Sequence, residues 1–411
     1  MLKRLEVRGF KSLRHVELRL PHMSVLFGPN AAGKSNLLDA IQALSRIGTQ
    51  RTLADAFGEP ICGYPIEAFA FSSGGLADLL NLESAHFSIE SDIVSNNGQY
   101  RYCAEVGIHP GSGRLSTTDE FLAQIGTRGQ PKGTPAIERV GSHLSVRRKG
   151  KPAHPIHEGL GQNHSILSDP RFSGADYLWL ETARNELADW RTYYLDPRVA
   201  MRAAQPPSDV RDIGVLGSDI APFLYKLRAE NQKSFRAVSR TLRAIVPSVE
   251  ELTVDLDKRR GTLDLLIRQG GVDYSSRIIS EGTLRVLALC AIAVNPWGGS
   301  LVAFEEPENG VHPRRLELIA DLLLSLALEQ RRQVVVTTHS PLLCDAILKT
   351  AREHPEDVGL FNVRRRDQET VVDPFDVLRP LFQQEAIAAA LAAPTDDGLF
   401  EGLVLRGLVD E

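Results

Sequence analysis

Cysteine is scarce in this 411-residue sequence, and its four cysteines are scattered at Cys62, Cys103, Cys290 and Cys344. No two of them have the C-x-x-C spacing that zinc sites use, and nothing in their spacing indicates a disulfide framework. We therefore expect small buried thiols in a reducing, cytoplasmic environment.

Long apolar runs and an excess of positive charge are also missing. No run approaches the roughly 18 apolar residues that a membrane span requires. The N-terminal "MLKRLEVRGF" alternates apolar and polar residues and lacks the apolar core of a signal peptide. The formal net charge of −5 excludes a globally basic nucleic-acid binder and leaves room only for a local basic patch.

The chain is long enough for one large domain with an insertion. Residues 1–110 and 250–411 have the patterns of an α/β fold, with a mixed or parallel sheet flanked by helices. Residues 111–249 are predicted to be an insertion between these halves. Weak periodicity and many Gly, Pro, Ser and His residues predict an irregular or β structure for 111–175, and apolar stripes predict helices over 176–249.

Period-2 alternation and a short apolar run predict three strands before Gly28, followed by a helix from Lys34 onward. Residues 86–108 read as a hairpin around Asn97, and a second hairpin is expected around the "KRRG" turn near residue 260. After Ser280 the pattern alternates helix and buried strand, which is typical of a parallel sheet. The segment "DVGLFNVRRRDQETVV" predicts a terminal strand pair.

The stretch "GPNAAGKS", from Gly28 to Ser35, matches the phosphate-binding pattern G-x-x-x-x-G-K-[ST]. A buried strand precedes it and an amphipathic helix follows, as this motif requires. Glycines allow the backbone to curl so that its N–H groups point at phosphate, and the helix N-terminus adds positive potential. Lys34 is expected to pair with the β- and γ-phosphates of a nucleotide, and the Ser35 hydroxyl to bind Mg²⁺.

A second signal is "LVAFEEPENGVHP", in which a buried strand ends in two adjacent carboxylates, Glu305 and Glu306. Adjacent acids at this position repel each other and gain nothing from packing, although the start of a helix would also favour acids. Beside a phosphate-binding loop, a metal and an attacking water explain them. Glu305 is expected to hold Mg²⁺ through water, and Glu306 to polarise the nucleophilic water.

His339 follows the next buried strand, "QVVVTT". A lone histidine is often only a structural hydrogen-bonding group. Ligands in open α/β sheets, however, bind at the carboxyl ends of the strands. His339 is therefore expected to contact the γ-phosphate or the attacking water.

The stretch "SEGTLR" begins at Ser280, which can cap the following helix, while Gly282 permits close approach of an anion. It predicts a second phosphate-binding helix N-terminus in a chain that already has one. The order of the motifs is phosphate loop, Ser-x-Gly helix, acid pair and histidine.

With "GFKS", "GPNAAGKSN", "SEGTLR", "EEPENGVHP" and "THSP" in this order, the sequence resembles the ABC-type ATPase heads of the SMC/RecF/OLD group, particularly the OLD-like AAA ATPases. The resemblance covers residues 1–50 and 250–345. It implies ATP and Mg²⁺ as ligands and a homodimer in which Ser280 and Gly282 reach the ATP of the opposing head. It also places Asn309 and Gly310 at the dimer interface. Together, the motif and the resemblance assign nucleotide contacts to Lys11, Ser12, Gly28, Pro29, Asn30, Ala31, Ala32, Gly33, Lys34, Ser35 and Asn36.

The sequence departs from this group in three ways. Glu305 stands where Asp is more usual, and the glutamine-loop residue is not evident, with Gln99 and the Ser72–Gly75 turn as candidates. Neither SMC-type coiled-coil heptads nor an OLD-type nuclease domain is recognisable.

The favoured function is an ATP-driven switch acting on DNA, RNA or an effector protein, such as a nuclease or toxin encoded nearby, in antiviral defence or DNA repair. An ATP-regulated nuclease is the alternative. A transporter subunit is disfavoured because such subunits place the phosphate loop closer to the Ser-x-Gly signature, which in this chain is the segment from Ser280 to Gly282. Three basic groups, at 147–151, 258–260 and 364–366, are either solvated turns or phosphate contacts.

Overall fold

The computed structural model describes residues 1–375. In the first part of the chain the elements are β1 (Leu2–Phe10), β2 (Leu13–Arg19), β3 (Met23–Phe27), α1 (Lys34–Ile47), α2 (Leu53–Ala56), α3 (Gly75–Leu80), β4 (Ala85–Ser95) and β5 (Gly98–His109). The middle part contains β6 (Arg114–Ile125), β7 (Ile137–Val140), β8 (His143–Arg148), β9 (Lys151–Gly159), α4 (Leu178–Ala188), β10 (Trp190–Tyr193), α5 (Ile220–Glu230) and α6 (Gln232–Ile245). The last part contains β11 (Glu251–Asp257), β12 (Thr262–Gln269), β13 (Val272–Ser275), α7 (Glu281–Ala293), β14 (Leu301–Glu305), α8 (Leu316–Leu324), β15 (Gln333–Thr338), α9 (Pro341–Glu353), β16 (Val358–Arg366) and β17 (Glu369–Phe375).

The described chain forms two compact units. The first contains residues 1–21, 28–190 and 361–374, and the second contains residues 22–27, 191–360 and Phe375. The first unit therefore includes β1 and β2, the phosphate-loop motif, and most of β16 and β17. The domain boundaries predicted at residues 110 and 250 remain a prediction.

The first unit is built on an eight-stranded antiparallel sheet in the order β2-β1-β4-β5-β6-β7-β8-β9. Buried residues alternate along the central strands, as in β5, so one face of the sheet packs into a core. Phe87 lies at the centre of an aromatic cluster, with ring centroids 5.2 Å from Phe10, 5.5 Å from Phe57 and 5.0 Å from Phe69.

The prediction of irregular or β structure for residues 111–175 is confirmed in both parts, since strands cover most of residues 114–159 and irregular chain follows up to residue 174. Residues 114–159 carry four strands, and the glycines that weakened the sequence pattern lie in turns with positive φ, as at Gly113 and Gly141. Pro152 and Pro155 belong to β9, the last strand of the sheet order. An edge strand tolerates proline because one side of it has no ladder to complete.

The helical prediction for 176–249 holds for α4, α5 and α6 and is wrong between α4 and α5. There β10 is followed by irregular chain up to residue 219, containing only a short 3-10 turn at Ala200–Arg202. Pro197, Pro206 and Pro207 fall in this stretch and explain why no helix continues through it. Its apolar side chains Leu195, Met201 and Ile213 are buried all the same.

The second unit contains the parallel strands that the sequence predicted. β14 pairs in parallel with β15, and β15 pairs in parallel with β3. The five residues of β3 and the six of β15 are all buried, which explains why all but Ser24 and Gln333 are apolar or β-branched. Helix α7 is buried from Val286 to Ala293, and α8 and α9 each bury an apolar stripe. Both predicted hairpins, the β/α alternation after Ser280 and the terminal strand pair are confirmed.

Glu120 on β6 is a fully buried acid in the first unit. Its carboxylate accepts hydrogen bonds from the N–H groups of Ile166 (2.6 Å) and Leu167 (2.9 Å), and from the Tyr102 hydroxyl (3.0 Å). Burial raises the pKa of Glu120 to about 7, although these donors act in the opposite direction. The carboxylate of Glu120 therefore accepts the hydrogen bonds of two buried N–H groups in the loop that follows β9.

We predict that Glu120→Ala lowers the free energy of unfolding by roughly 2–4 kcal/mol, because it strands two buried backbone donors. Urea denaturation of the purified protein measures this. The matched control is Glu138→Ala on β7, whose carboxylate pairs with Arg147 and is 30% exposed, and which should cost about 1 kcal/mol or less. Equal losses in the two variants would contradict the assigned role of Glu120.

Candidate functional site

The phosphate loop, Gly28–Ser35, leaves β3 and leads directly into α1. Its backbone has positive φ at Gly28 (151°), Ala31 (63°) and Gly33 (101°), so the chain curls tightly before the helix begins at Lys34. The Lys34 ammonium donates to the carbonyls of Gly28 (2.7 Å) and Pro29 (2.9 Å). The loop thus curls around the side chain of Lys34. A phosphate bound in such a loop would lie next to the Lys34 ammonium.

Gly33 is fixed by close packing as well as by its φ. A Cβ atom there would lie 2.0 Å from Thr370 Oγ1 and 2.9 Å from Ser12 Oγ. A Cβ atom at this position would therefore displace the Thr370 and Ser12 hydroxyls, and the φ of 101° would strain any residue other than glycine.

Ser12 and Lys11, which the resemblance assigned to the nucleotide, have different surroundings. Ser12 Oγ accepts a 2.7 Å hydrogen bond from Asn36 Nδ2, so Ser12 is in contact with the first turn of α1. Lys11 has φ 49°, and its ammonium contacts Asp39 Oδ2 (2.7 Å) and the Ile61 carbonyl (2.6 Å). Nucleotide contact by Lys11 stays a prediction, and it would require the ammonium to exchange partners.

The acid pair lies at the end of β14. Glu305 is the last residue of that strand, and Glu306 has φ 44°, which is unusual for a residue other than glycine. Both Glu306 carboxylate oxygens have partners, Asn309 Nδ2 at 2.6 Å and His339 Nδ1 at 2.9 Å. A backbone strain held in place by such contacts is typical of functional positions.

Strand register explains why Glu306 and His339 meet. Glu305 is opposite Thr337 in the parallel pair of β14 and β15, and the Glu306 N–H donates to the Thr337 carbonyl at 3.1 Å. His339 follows β15 directly. The Glu306 carboxylate can only accept, so His339 donates this hydrogen bond from Nδ1–H.

Glu308 was not predicted from the sequence, although it is the third acid of "EEPENG". It is buried, and its Oε1 accepts from the Thr338 hydroxyl, which in turn accepts from the Ser340 N–H. Burial raises the pKa of the Glu308 carboxyl. This bond ties the loop after β14 to the end of β15, so Glu308 helps to hold Glu306 and His339 in place.

Ser280 caps α7, and its Oγ accepts from the Thr283 N–H at 3.2 Å. A Cβ atom on Gly282 would lie 1.9 Å from the Gly310 carbonyl oxygen, so the first turn of α7 touches the loop after the acid pair. The predicted signature and the predicted interface loop are therefore in contact within one chain. Sequence reasoning assigned both segments separately and did not foresee this contact.

Arg202 supports the signature from a segment that showed no motif. Its guanidinium donates to the carbonyls of Arg277 (2.9 Å) and Ile279 (2.8 Å), just before Ser280. Arg198 Nε donates to Glu281 Oε1 at 2.8 Å. Asp196 precedes both arginines and accepts hydrogen bonds from the N–H groups of Val199, Ala200 and Arg198. Burial alone would raise the pKa of Asp196, but these hydrogen bonds outweigh burial and lower it. Arg202 could not be identified from the sequence, because a lone arginine in an irregular stretch belongs to no motif.

Residues 1–375 contain no group of three or more His, Cys, Asp or Glu side chains arranged to hold a metal ion. Protein Mg²⁺ sites that serve nucleotides usually supply only one or two side-chain ligands beside phosphates and waters. A hydroxyl such as Ser35 and a carboxylate such as Glu305 fit that chemistry. These two residues remain predicted ligands.

The two candidates for the glutamine-loop residue lie in different elements of the first unit. Gln99 lies in β5 opposite Val94 and Ile125. Ser72 begins a turn in which its carbonyl accepts from the Gly75 N–H at 2.9 Å.

The sequence profile of a family described as "AAA domain, putative AbiEii toxin, Type IV TA system" matches residues 23–345. The chain belongs to this family. The match includes the phosphate loop, the signature, the acid pair and His339, and it confirms the resemblance to ABC-type ATPase heads.

Among solved structures, the chain is similar to the SMC head domain from Thermotoga maritima, with 15% sequence identity, 92% of this chain and 99% of that chain covered, and a TM-score of 0.44. It is also similar to an SmcHead bound to the C-winged helix domain of ScpA, with 15% identity, the same coverage and a TM-score of 0.48. A third is the Smc head with an extended coiled coil bound to the C-terminal domain of ScpA from Pyrococcus furiosus, with 13% identity, 94% and 99% coverage, and a TM-score of 0.49.

Within the described residues, no helix has the length and apolar character to cross a membrane.

We predict that Gly282→Ala lowers the free energy of unfolding by more than about 2 kcal/mol, since the clash is with backbone and no flexible side chain can yield. Calorimetric thermal unfolding measures the change. Gly150→Ala is the matched control, because a Cβ there meets nothing within 4 Å. An unchanged transition in Gly282→Ala would refute the close approach of α7 to the Gly310 loop.

Proposed function

We propose that this chain binds ATP with Mg²⁺ at the phosphate loop and hydrolyses it to ADP and phosphate. The observation that carries the proposal is the 2.9 Å hydrogen bond between His339 Nδ1 and Glu306 Oε1 at the ends of two parallel strands. β3 ends at the same edge, where Thr338 is opposite Phe27, and the next residue in the chain begins the phosphate loop. Strand carboxyl ends are where open α/β sheets bind ligands.

Each side chain then has a role in phosphoryl transfer, which requires positioning and charge stabilisation more than covalent chemistry. Lys34 neutralises the β- and γ-phosphates, while the Ser35 hydroxyl would bind Mg²⁺ and Glu305 would hold it through water. Mg²⁺, when bound, supplies charge neutralisation on the phosphates. Glu306 orients the attacking water and accepts its proton, and His339 contacts the γ-phosphate side. The Glu306–His339 bond keeps both groups in place before the nucleotide arrives.

We further propose that two chains close around two ATP molecules, with Ser280 and Gly282 of each acting on the ATP of the other. Ser280 is exposed at the N-terminus of α7, where backbone N–H groups favour an anion. Two neighbouring apolar side chains, Val199 (72% exposed) and Ile278 (68% exposed), offer contact surface for a second copy. Asn309 and Gly310 would lie along the same interface.

The output that we propose is a switch acting on an effector protein, with DNA or RNA as the alternative target, in antiviral defence or repair. The family description, which refers to a toxin and a toxin–antitoxin system, supports an effector in such a system. Each of the three basic groups has an internally paired arginine, since Arg147 pairs with Glu138, Arg260 with Asp257 and Arg364 with Asp373. That favours a protein partner over direct phosphate contact, and it gives no support to the alternative of an ATP-regulated nuclease.

We predict that Glu306→Gln retains ATP binding, hydrolyses ATP at least about 100-fold more slowly, and accumulates as closed dimers. The amide cannot accept the proton of the attacking water, so the closed state persists. Phosphate release and light scattering with ATP and Mg²⁺ measure the two effects. Glu317→Gln, an exposed carboxylate on α8, is the matched control and should behave as wild type. A monomeric Glu306→Gln protein with bound ATP would contradict the dimer and leave the hydrolysis proposal standing.

The signature's action across the dimer is tested by mixing Lys34→Ala and Ser280→Arg chains, each inactive alone. If the signature acts in trans, a mixed dimer has one site with both lesions and one intact site. Equal mixing then restores roughly a quarter of wild-type hydrolysis per chain, if the sites act independently. If the signature serves its own chain, every site retains a lesion and mixing restores nothing. Differently tagged chains verify that subunits exchange.

A further inference from the structure

The phosphate loop packs against the hairpin formed by β16 and β17, a segment that carries no nucleotide motif. A Cβ atom on Gly28 would lie 1.9 Å from the Val363 carbonyl oxygen of β16. At the other end of the loop, Gly33 lies against Thr370 of β17. The hairpin therefore closes the back of the loop at both of its glycines.

Thr370 also bonds to the loop directly. Its Oγ1 donates to the Ala32 carbonyl at 2.9 Å, and its N–H donates to the Ser12 carbonyl at 3.0 Å. Thr370 is only 3% exposed. A hydroxyl buried to this extent must have its hydrogen bonds satisfied within the protein.

The number of hydroxyl protons determines which group donates in each of these hydrogen bonds. Thr370 has one hydroxyl proton, which the Ala32 carbonyl accepts, so the Ser12 hydroxyl must donate in the 2.6 Å contact with Thr370 Oγ1. Ser12 then accepts from Asn36 Nδ2 at 2.7 Å. The chain of bonds runs from Asn36 through Ser12 and Thr370 to the Ala32 carbonyl, and each bond strengthens the next.

This chain orients one peptide group of the loop. The C=O and N–H of a trans peptide point in opposite directions, so holding the Ala32 carbonyl towards Thr370 aims the Gly33 N–H away from the hairpin. Backbone N–H groups of such loops are the ones that bind phosphate. We infer that Thr370 is a positioning residue for the phosphate loop, which it preorganises for nucleotide through the Ala32 carbonyl.

The inference rests on the proposed function, since it takes ATP as the ligand of the loop. The test is the dissociation constant of a fluorescent ATP analogue with Mg²⁺, measured well below the unfolding temperature of every variant. Thr370→Val keeps the volume and removes the hydroxyl, and it should weaken binding about tenfold. Thr370→Ser restores the hydroxyl and should bind within about threefold of wild type.

The matched control is Thr117→Val. Thr117 is 2% exposed in the same unit, and its hydroxyl donates to the His164 carbonyl at 2.8 Å, away from the phosphate loop. It should lower the unfolding temperature and leave the dissociation constant unchanged, which separates positioning from general stability. If Thr370→Val does not fold, as judged by circular dichroism, Thr370→Ala replaces it with the same expectation.

Two results would overturn the inference: affinity of Thr370→Val within about twofold of wild type, or an equal loss of affinity in Thr117→Val. Failure of the folded wild-type protein to bind the analogue at all would instead overturn the proposed function, and with it the ligand on which the inference rests.

Discussion

The parallel pairing of β14, β15 and β3 is the constraint on which the candidate site depends. Every residue of these strands except Glu305 is buried, so their register is fixed by core packing and cannot slip without exposing apolar side chains. That register sets Glu305 opposite Thr337 and Thr338 opposite Phe27. The buried strands therefore fix the positions of the residues that follow them, which is how the loop Glu306–Gly310 holds its geometry.

The loop after β14 shows how that position is maintained. Glu306 takes a positive φ, a conformation that costs free energy for a side chain with a Cβ. Its N–H, and both of its carboxylate oxygens, have partners that belong to the loop or to the end of β15. Glu308 adds a buried bond to Thr338. Several contacts together therefore offset the free-energy cost of the Glu306 backbone conformation. Each of these contacts would be weaker without the others.

Much of this could be predicted from the sequence because the relevant signals are local. A buried strand, a glycine-rich loop and a helix lie within a few residues of one another, and so do β14 and its acids. The irregular segment 194–219 could not be predicted, since it has apolar residues without a period and its prolines argue only against a helix. Arg202 and Thr370 were equally invisible, because each acts through backbone carbonyls far away in the sequence. The sheet of residues 114–159 was obscured by turn residues that interrupt its short strands.

The phosphate loop illustrates the difference between a motif and the structure that makes it work. Its eight residues contain the groups that would meet phosphate, but glycines alone make the loop free to adopt many conformations. The conformation in the folded protein is selected by Val363 and Thr370, which lie more than 300 positions later in the chain. The separation of Ser12 and Thr370 by 358 positions means that this support forms only when both ends of the sequence have come together. The motif thus gives the loop its chemistry, while the β16–β17 hairpin gives it a single shape.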